Sequence, residues 1–205
     1  MSDKLLKNIK LNSEVIKFYK KNKEFLLDII LFGSYLKGKE KPNDIDLLVL
    51  YKNKKDFDKG YELKKILEKK GYKADIINKN YLEIFDKSFK VKEGILSEGY
   101  SFINKKFISE GLGYTSLILF KYELKGFSKS NRTRFYYSLY GRKRKNKGIL
   151  NDFGALKFSD TILLCPIENS ERMKDYFNNW KINYIEFPIM IPTRLKEFLQ
   201  RKIIV

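Results

Sequence analysis

The chain has 205 residues, with 43 Lys or Arg against 25 Asp or Glu, and a net charge of +18. It has no histidine and one cysteine, which removes histidine general bases, His-containing triads, His-bearing zinc sites and an internal disulfide. The hydrophobic content of 43% suffices for one large or two small folded domains. No apolar run is long enough for a membrane span. Met1 to Lys7 lacks a signal-peptide core, so the cytoplasm is the expected compartment and a membrane is not an expected partner.

In chain order, residues 3–26 read as one or two helices with Leu5, Leu6, Ile9, Val15, Ile16, Phe18 and Tyr19 apolar, and Asn12-Ser13 capping the second. A strand is predicted from Leu26 to Phe32, a short helix from Ser34, and a central strand from Asp46 to Tyr51. Residues 54–70 form an amphipathic helix with Phe57, Tyr61, Leu63, Ile66 and Leu67 inward, ended by Gly71. A third strand follows over residues 72–77, then further helix within 81–85 and 91–108.

Past Gly111 and Gly113 the character changes. Residues 115–124 read as a strand, 132–140 as a helix behind Ser128, 148–158 and 161–167 as strands, 168–180 as a helix and 181–191 as a last strand. This strand-helix-strand-strand-helix-strand order predicts a ferredoxin-like module. Cys165 lies in an apolar run and reads as a buried structural thiol. The fold class is therefore α+β, with domains at 1–112 and 113–205.

The chemistry concentrates between residues 31 and 50. An apolar strand ends in Gly33-Ser34, a basic connector with Gly38 follows, and a second strand opens with Asp44-Ile45-Asp46. Residues i and i+2 of a strand share a face, so Asp44 and Asp46 project together, about 7 Å apart along the backbone. Two carboxylates at that spacing suit hard divalent cations, and their repulsion is costly without one. A Gly-Ser turn beside them offers N–H groups and a hydroxyl to a phosphate. Together they point to phosphoryl or nucleotidyl transfer.

Gly33-Ser34, Gly38 and Asp44-x-Asp46 resemble the signature of the DNA polymerase β-like nucleotidyltransferase superfamily, and in size its minimal nucleotidyltransferase branch. That family carries a third carboxylate on a later strand, matched by Asp75, and a Leu-x-Glu-Gly helix similar to residues 95–100. The resemblance covers about residues 20–105. Asn43 departs from the family's Ser but keeps a hydrogen-bond donor.

The resemblance implies a mixed sheet with flanking helices and two Mg2+ (or Mn2+) ions on Asp44, Asp46 and Asp75. It also implies a nucleoside triphosphate, with ATP expected, on Gly33 and Ser34. Asp44 and Asp46 hold both ions, while Asp75 holds the ion on the attacking hydroxyl and helps remove its proton. Lys37, Lys39 and Lys41 are candidates to neutralise the triphosphate.

Residues 125–151 hold nine basic residues and no acidic one. Arg132, Arg134, Arg142, Lys143, Arg144, Lys145 and Lys147 are the candidate nucleic-acid contacts, and Phe127, Phe135, Tyr136, Tyr137 and Tyr140 are interleaved, mostly as core. Arginine binds phosphate bidentately and stacks on bases, which favours RNA as acceptor and partner. Two other readings stand beside this one. In the first, an antitoxin-type nucleotidyltransferase modifies a partner protein such as a toxin. In the second, a nucleic-acid-binding protein has lost its catalysis.

Overall fold

The computed structural model describes residues 9–37, 44–142 and 146–195, excepting the side chains of Ile9, Lys10 and Asn146. The expectations for Leu5, Leu6, Gly38, Lys39, Lys41, Asn43, Lys143, Arg144 and Lys145 fall outside these residues. The chain divides into two compact units, Met1–Leu112 and Gly113–Val205.

The first unit is built on a five-stranded mixed sheet. Its strands are β1 (Leu26–Phe32), β2 (Ile45–Tyr51), β3 (Ala74–Asn80), β4 (Tyr100–Ser101) and β5 (Lys106–Phe107), in the order β3-β2-β1-β4-β5. β2 runs antiparallel to β1 and parallel to β3. Both faces of β1 and β2 are covered, which is why these strands read as continuous apolar runs. Ile29, Leu31, Ile45, Leu47, Val49 and Tyr51 pack on one side against two helices, α1 (Ile9–Lys21) and α2 (Phe57–Glu68). α1 contributes Leu11, Val15 and Phe18, and α2 contributes Leu63 and Leu67, each set at helical spacing. On the other face Ile30, Phe32 and Leu48 meet Phe89 and Ile95, the latter from α3 (Lys92–Glu98).

Several sequence expectations are corrected here. α1 runs unbroken through Asn12 and Ser13, so no second helix starts there. Residues 91–108 are not one helical region, because α3 stops at Glu98 and a short hairpin of β4 and β5 follows. A buried polar network ties this hairpin to β1: the Ser101 hydroxyl donates to Asp28 Oδ2 at 2.7 Å, and the Ile29 N–H donates to Oδ1 at 2.7 Å. Burial nevertheless holds the Asp28 carboxyl above its ordinary pKa. Phe57 and Tyr61, expected inward, are 65% and 58% exposed. The helix turns Gly60, Leu63 and Leu67 to the sheet instead, and a methyl group at Gly60 would overlap the Asn78 amide.

The second unit is a four-stranded antiparallel sheet. Its strands are β6 (Tyr114–Glu123), β9 (Leu156–Ser159), β10 (Ile162–Pro166) and β11 (Asn183–Pro192), in the order β11-β6-β10-β9. Counted along the chain these are strands 4-1-3-2, with helices on the first and last crossovers, which is the ferredoxin-like arrangement. The helices are α5 (Lys129–Tyr140), capped by the Ser128 hydroxyl, and α7 (Ser170–Asn179). A short α4 (Ile108–Gly111) precedes the unit. Both long helices cover one face through an aromatic-rich core in which Phe177 lies 5.3 Å from Tyr122 and 5.7 Å from Phe120, ring centre to ring centre. The expected strand over 148–158 is corrected: residues Ile149–Asp152 form a helical turn, α6, and only β9 is extended. A small hairpin, β7 (Gly141–Arg142) with β8 (Asn146–Lys147), precedes it. Cys165 is fully buried in β10, and burial pushes its thiol pKa far up, as a structural thiol requires.

Candidate active site

The first sheet sets Asp46 and Asp75 side by side near one end, with Asp44 just before β2. Along β2 the odd positions turn to the α1 and α2 side, so Asp46 shares the opposite face with Leu48. In the parallel register of β2 and β3, Asp46 lies beside Asp75. On its other flank Asp46 lies beside Phe32, the residue just before Gly33. Asp44 stands immediately before β2 and is half-buried. Burial first, then the charges of Asp44 and Asp75, hold the Asp46 carboxyl above its ordinary pKa. The two neighbours are thus close enough to repel it.

Gly33 completes the arrangement. Its φ of +78° lies in the left-handed region, where a side chain is strained. A Cβ there would also overlap the Asp46 carboxylate. Glycine is therefore required twice over, by the turn and by the carboxylate seated against it. The chain then enters a 3-10 turn over Ser34–Lys37, closed by the Leu36 N–H donating to the Gly33 carbonyl at 3.2 Å and anchored by buried Leu36. Gly33 and Ser34 thus sit at the carboxylate end of the sheet.

Sequence reasoning missed what holds this turn. Lys37 Nζ lies 3.1 Å from Glu98 Oε2. Glu98 is buried at the end of α3, within the Leu-x-Glu-Gly segment. Lys37 is therefore engaged with a protein carboxylate. The pair ties the Gly33-Ser34 turn to α3 across the sheet face. Its only signal in the sequence was the segment's resemblance to a known motif.

All the candidate metal donors are carboxylate oxygens, a hard set that suits Mg2+ or Mn2+. Among the described residues no three such side chains are already gathered into a metal-holding group. Asp75, exposed on the edge strand, turns instead toward Lys64, whose Nζ lies 3.9 Å from its Oδ1.

The second-unit candidates are dispersed in role. Arg132 donates to the Phe127 and Leu124 carbonyls at 3.3 and 3.2 Å, which gives it a structural use. The Arg142 guanidinium lies over the exposed Tyr137 ring, 4.4 Å from its centre. Arg134 and Lys147 are exposed. Phe135 is fully buried, and Phe127 and Tyr140 pack against the core, as expected of most of these aromatics.

One stability consequence follows from the crowding at Asp46. A carboxyl whose folded-state pKa is raised costs stability when ionised, and this cost disappears as pH falls through the raised pKa. Asp46→Asn is expected to raise the melting temperature near pH 7 by about 2 °C. The gain should shrink on acidification, as read by calorimetry across pH. A variant less stable than the parent at neutral pH contradicts the crowding.

Residues 13–106 match the family described as polymerase beta, nucleotidyltransferase. Comparison with curated proteins gave no match. Among solved structures, the chain is similar to an MntA–HpeT toxin–antitoxin mutant at 22% identity, covering 44% of this chain and 70% of that one, with a TM-score of 0.36. It is similar to a toxin–antitoxin with AMP-PNP at 26% identity, covering 44% and 71%, with a TM-score of 0.36. A third similarity is to the complex of a tri-AMPylated Shewanella oneidensis HEPN toxin with an MNT antitoxin, at 20% identity, covering 50% and 81%, with a TM-score of 0.34. The family match spans Gly33, Asp44, Asp46 and Asp75, and so residues 13–106 form a nucleotidyltransferase domain of the polymerase β type.

Proposed function

We propose that this domain transfers a nucleoside monophosphate from a nucleoside triphosphate to an acceptor hydroxyl, releasing pyrophosphate, with ATP as the triphosphate and RNA as the acceptor. The observation that carries the transfer reading is Asp46 seated against Gly33, with Asp44 and Asp75 close enough to raise its pKa. In this reading Asp44, Asp46 and Asp75 hold two Mg2+ or Mn2+ ions. Bound there, the cations offset the carboxylate repulsion and the negative charge of the triphosphate.

The chain's own residues then have separate tasks. Ser34 and the Gly33-Ser34 backbone hold phosphate oxygens, on a turn fixed by the pair of Lys37 with Glu98. Asp46, partly withdrawn from water, stays in place against Gly33, where it would hold the cations that carry the triphosphate. The acceptor oxygen forms a bond to the α-phosphorus as the bond to the pyrophosphate oxygen breaks. The acceptor's proton passes to Asp75, whose exposure at the sheet edge leaves it reachable by a large acceptor. Asp75 leaves Lys64 to do this, a shift that surface ion pairs permit at little cost.

The RNA reading rests on the second unit's acid-free basic stretch. Arg134, Arg142 and Lys147 are exposed there, and Arg142 over Tyr137 offers a cation and a ring edge together. Incubating the protein with each labelled triphosphate in turn, Mg2+, total RNA and cell protein should label RNA. Asp44→Asn should reduce transfer by about 100-fold or more while leaving the fold intact. Full transfer by that variant contradicts the carboxylate assignment. Label on protein in place of RNA assigns a protein acceptor, the antitoxin-type activity.

The basic stretch has its own check. Reversing Arg134, Arg142 and Lys147 to Glu should weaken binding to single-stranded RNA and flatten its log–log salt dependence by about 2, from the counterions no longer released. An unchanged slope means that these residues are only a solvated face.

A further inference from the structure

β3 is an edge strand with backbone groups to spare. In a parallel ladder each residue turns its N–H and its C=O to the same side. The Ile45 N–H donates to the Lys73 carbonyl at 2.8 Å, and the Tyr81 N–H donates to the Tyr51 carbonyl at 3.2 Å. The odd residues of β3 therefore face β2, and Ala74, Ile76, Asn78 and Asn80 turn their groups outward. The Asn80 N–H is taken by Glu83 Oε2 at 2.9 Å. Among the described residues no strand lies beyond β3, and none is bonded to the outward groups of Ala74, Ile76 and Asn78. Unpaired groups in such a row are a template for another strand.

An aromatic stripe flanks this edge. From α2, Lys64 reaches Asp75 at the start of β3. Lys55, whose Nζ lies 5.4 Å from the Phe57 ring centre, pairs with Glu83 just past its end. The two contacts lay residues 57, 61 and 64 of α2, spaced at i, i+4 and i+7, along β3. Phe57 and Tyr61 on this stripe are 65% and 58% exposed.

The side chains of β3 select the occupant. Asp75, Ile77 and Lys79 share the carboxylate face. Asp75 lies beside Asp46, Ile77 packs with Ile30 and Leu48, and Lys79 Nζ lies 5.1 Å from the Phe89 ring centre. A lysine on an edge ordinarily repels a second copy. Here Asp75 stands two residues before Ile77 and Lys79 two residues after it. An antiparallel pairing of β3 with itself, centred on Ile77, therefore sets Asp75 opposite Lys79 twice. The same register sets Ile76 opposite Asn78, so the free backbone groups meet in the frame that matches the charges. Centring on Ile76 instead sets Lys79 against Lys73, and centring on Asn78 sets it against Ile77.

We propose that two copies of this chain join through β3 in the register centred on Ile77, forming one continuous sheet. Lys79 of the second copy then enters the carboxylate face beside Asp75, and the two α2 stripes meet on the opposite face. A strand of another protein fits the open backbone, whereas the charge match is a property of β3 with itself. The proposal rests on the edge geometry and does not depend on the transfer reading. The net charge of +18 on each copy opposes association, but its reach is about 8 Å at physiological salt.

The test is sedimentation of the full chain at about 0.15 M salt over rising protein concentration. A monomer–dimer equilibrium is expected. Lys79→Asp should weaken it at least about tenfold by setting acid against acid, and Asp75→Lys added to Lys79→Asp should restore it. Circular dichroism shows whether each variant is folded. Should Lys79→Asp not fold, oxidative cross-linking reads the register directly. Ile77→Cys should cross-link to its own copy, because Cα atoms of a non-hydrogen-bonded antiparallel pair lie about 4.5 Å apart. Ile76→Cys, which meets Asn78, should not, and the native Cys165 is fully buried. The proposal is overturned if the chain stays monomeric, or if Lys79→Asp leaves the dimer unchanged. It is overturned too if the folded double variant stays monomeric, or if Ile76→Cys cross-links in place of Ile77→Cys. Association that ribonuclease abolishes assigns the contact to bridging RNA and also overturns it.

Discussion

Like-charge repulsion at one end of the first sheet is the constraint around which this domain is arranged. Asp46 occupies an interior strand and has lost part of its water. Asp44 precedes it in the chain and Asp75 lies beside it in the next strand, and both raise its pKa. A fold optimised only for stability has no reason to set carboxylates in neighbouring positions, because each ionised neighbour adds cost. The chain accepts that cost at the point where Gly33, in a left-handed conformation, lets backbone and carboxylate touch. This combination of local strain and crowded charge sets this end of the sheet apart.

The rest of the unit serves to hold that end rigid. Two apolar faces sandwich β1 and β2, so a one-residue slip of β2 would carry Asp46 to the α1 and α2 side. The Gly33-Ser34 turn is pinned by buried Leu36 from below and by Lys37 to Glu98 from the side. Glu98 is buried and, among the described residues, Lys37 is the cation paired with it, so removing Lys37 takes away that counter-charge. The motif that opens with Gly33 and the segment that contains Glu98 therefore work as one device.

Much of this was legible in the sequence because strands have period two. The apolar runs of β1 and β2, and the helix caps at Ser128 and Gly71, follow from local rules. So does the strand-helix-strand-strand-helix-strand order of the second unit. What escaped depends on contacts distant in the chain. Lys37 and Glu98 carry no local sign of their pairing. The β4–β5 hairpin has two-residue strands, too short for any periodicity, and is held by the Asp28 and Ser101 contact. Phe57 and Tyr61 fit a helical apolar stripe, yet the sheet selects the stripe through Gly60, Leu63 and Leu67, where the missing Gly60 side chain admits Asn78. The helical turn Ile149–Asp152 sits in a stretch whose β-favouring residues were overruled by packing near Gly148, where any side chain would overlap the backbone at Tyr140 and Gly141.

The central claim is that the three carboxylates act together as one cation site. Mn2+ binding followed by electron paramagnetic resonance, with a non-hydrolysable triphosphate present, tests it most directly. The account predicts that the parent chain binds Mn2+ and that Asp44→Asn, Asp46→Asn and Asp75→Asn each weaken that binding by at least about tenfold. Mn2+ affinity unchanged in Asp75→Asn would show that the carboxylates of β2 and β3 do not share a cation.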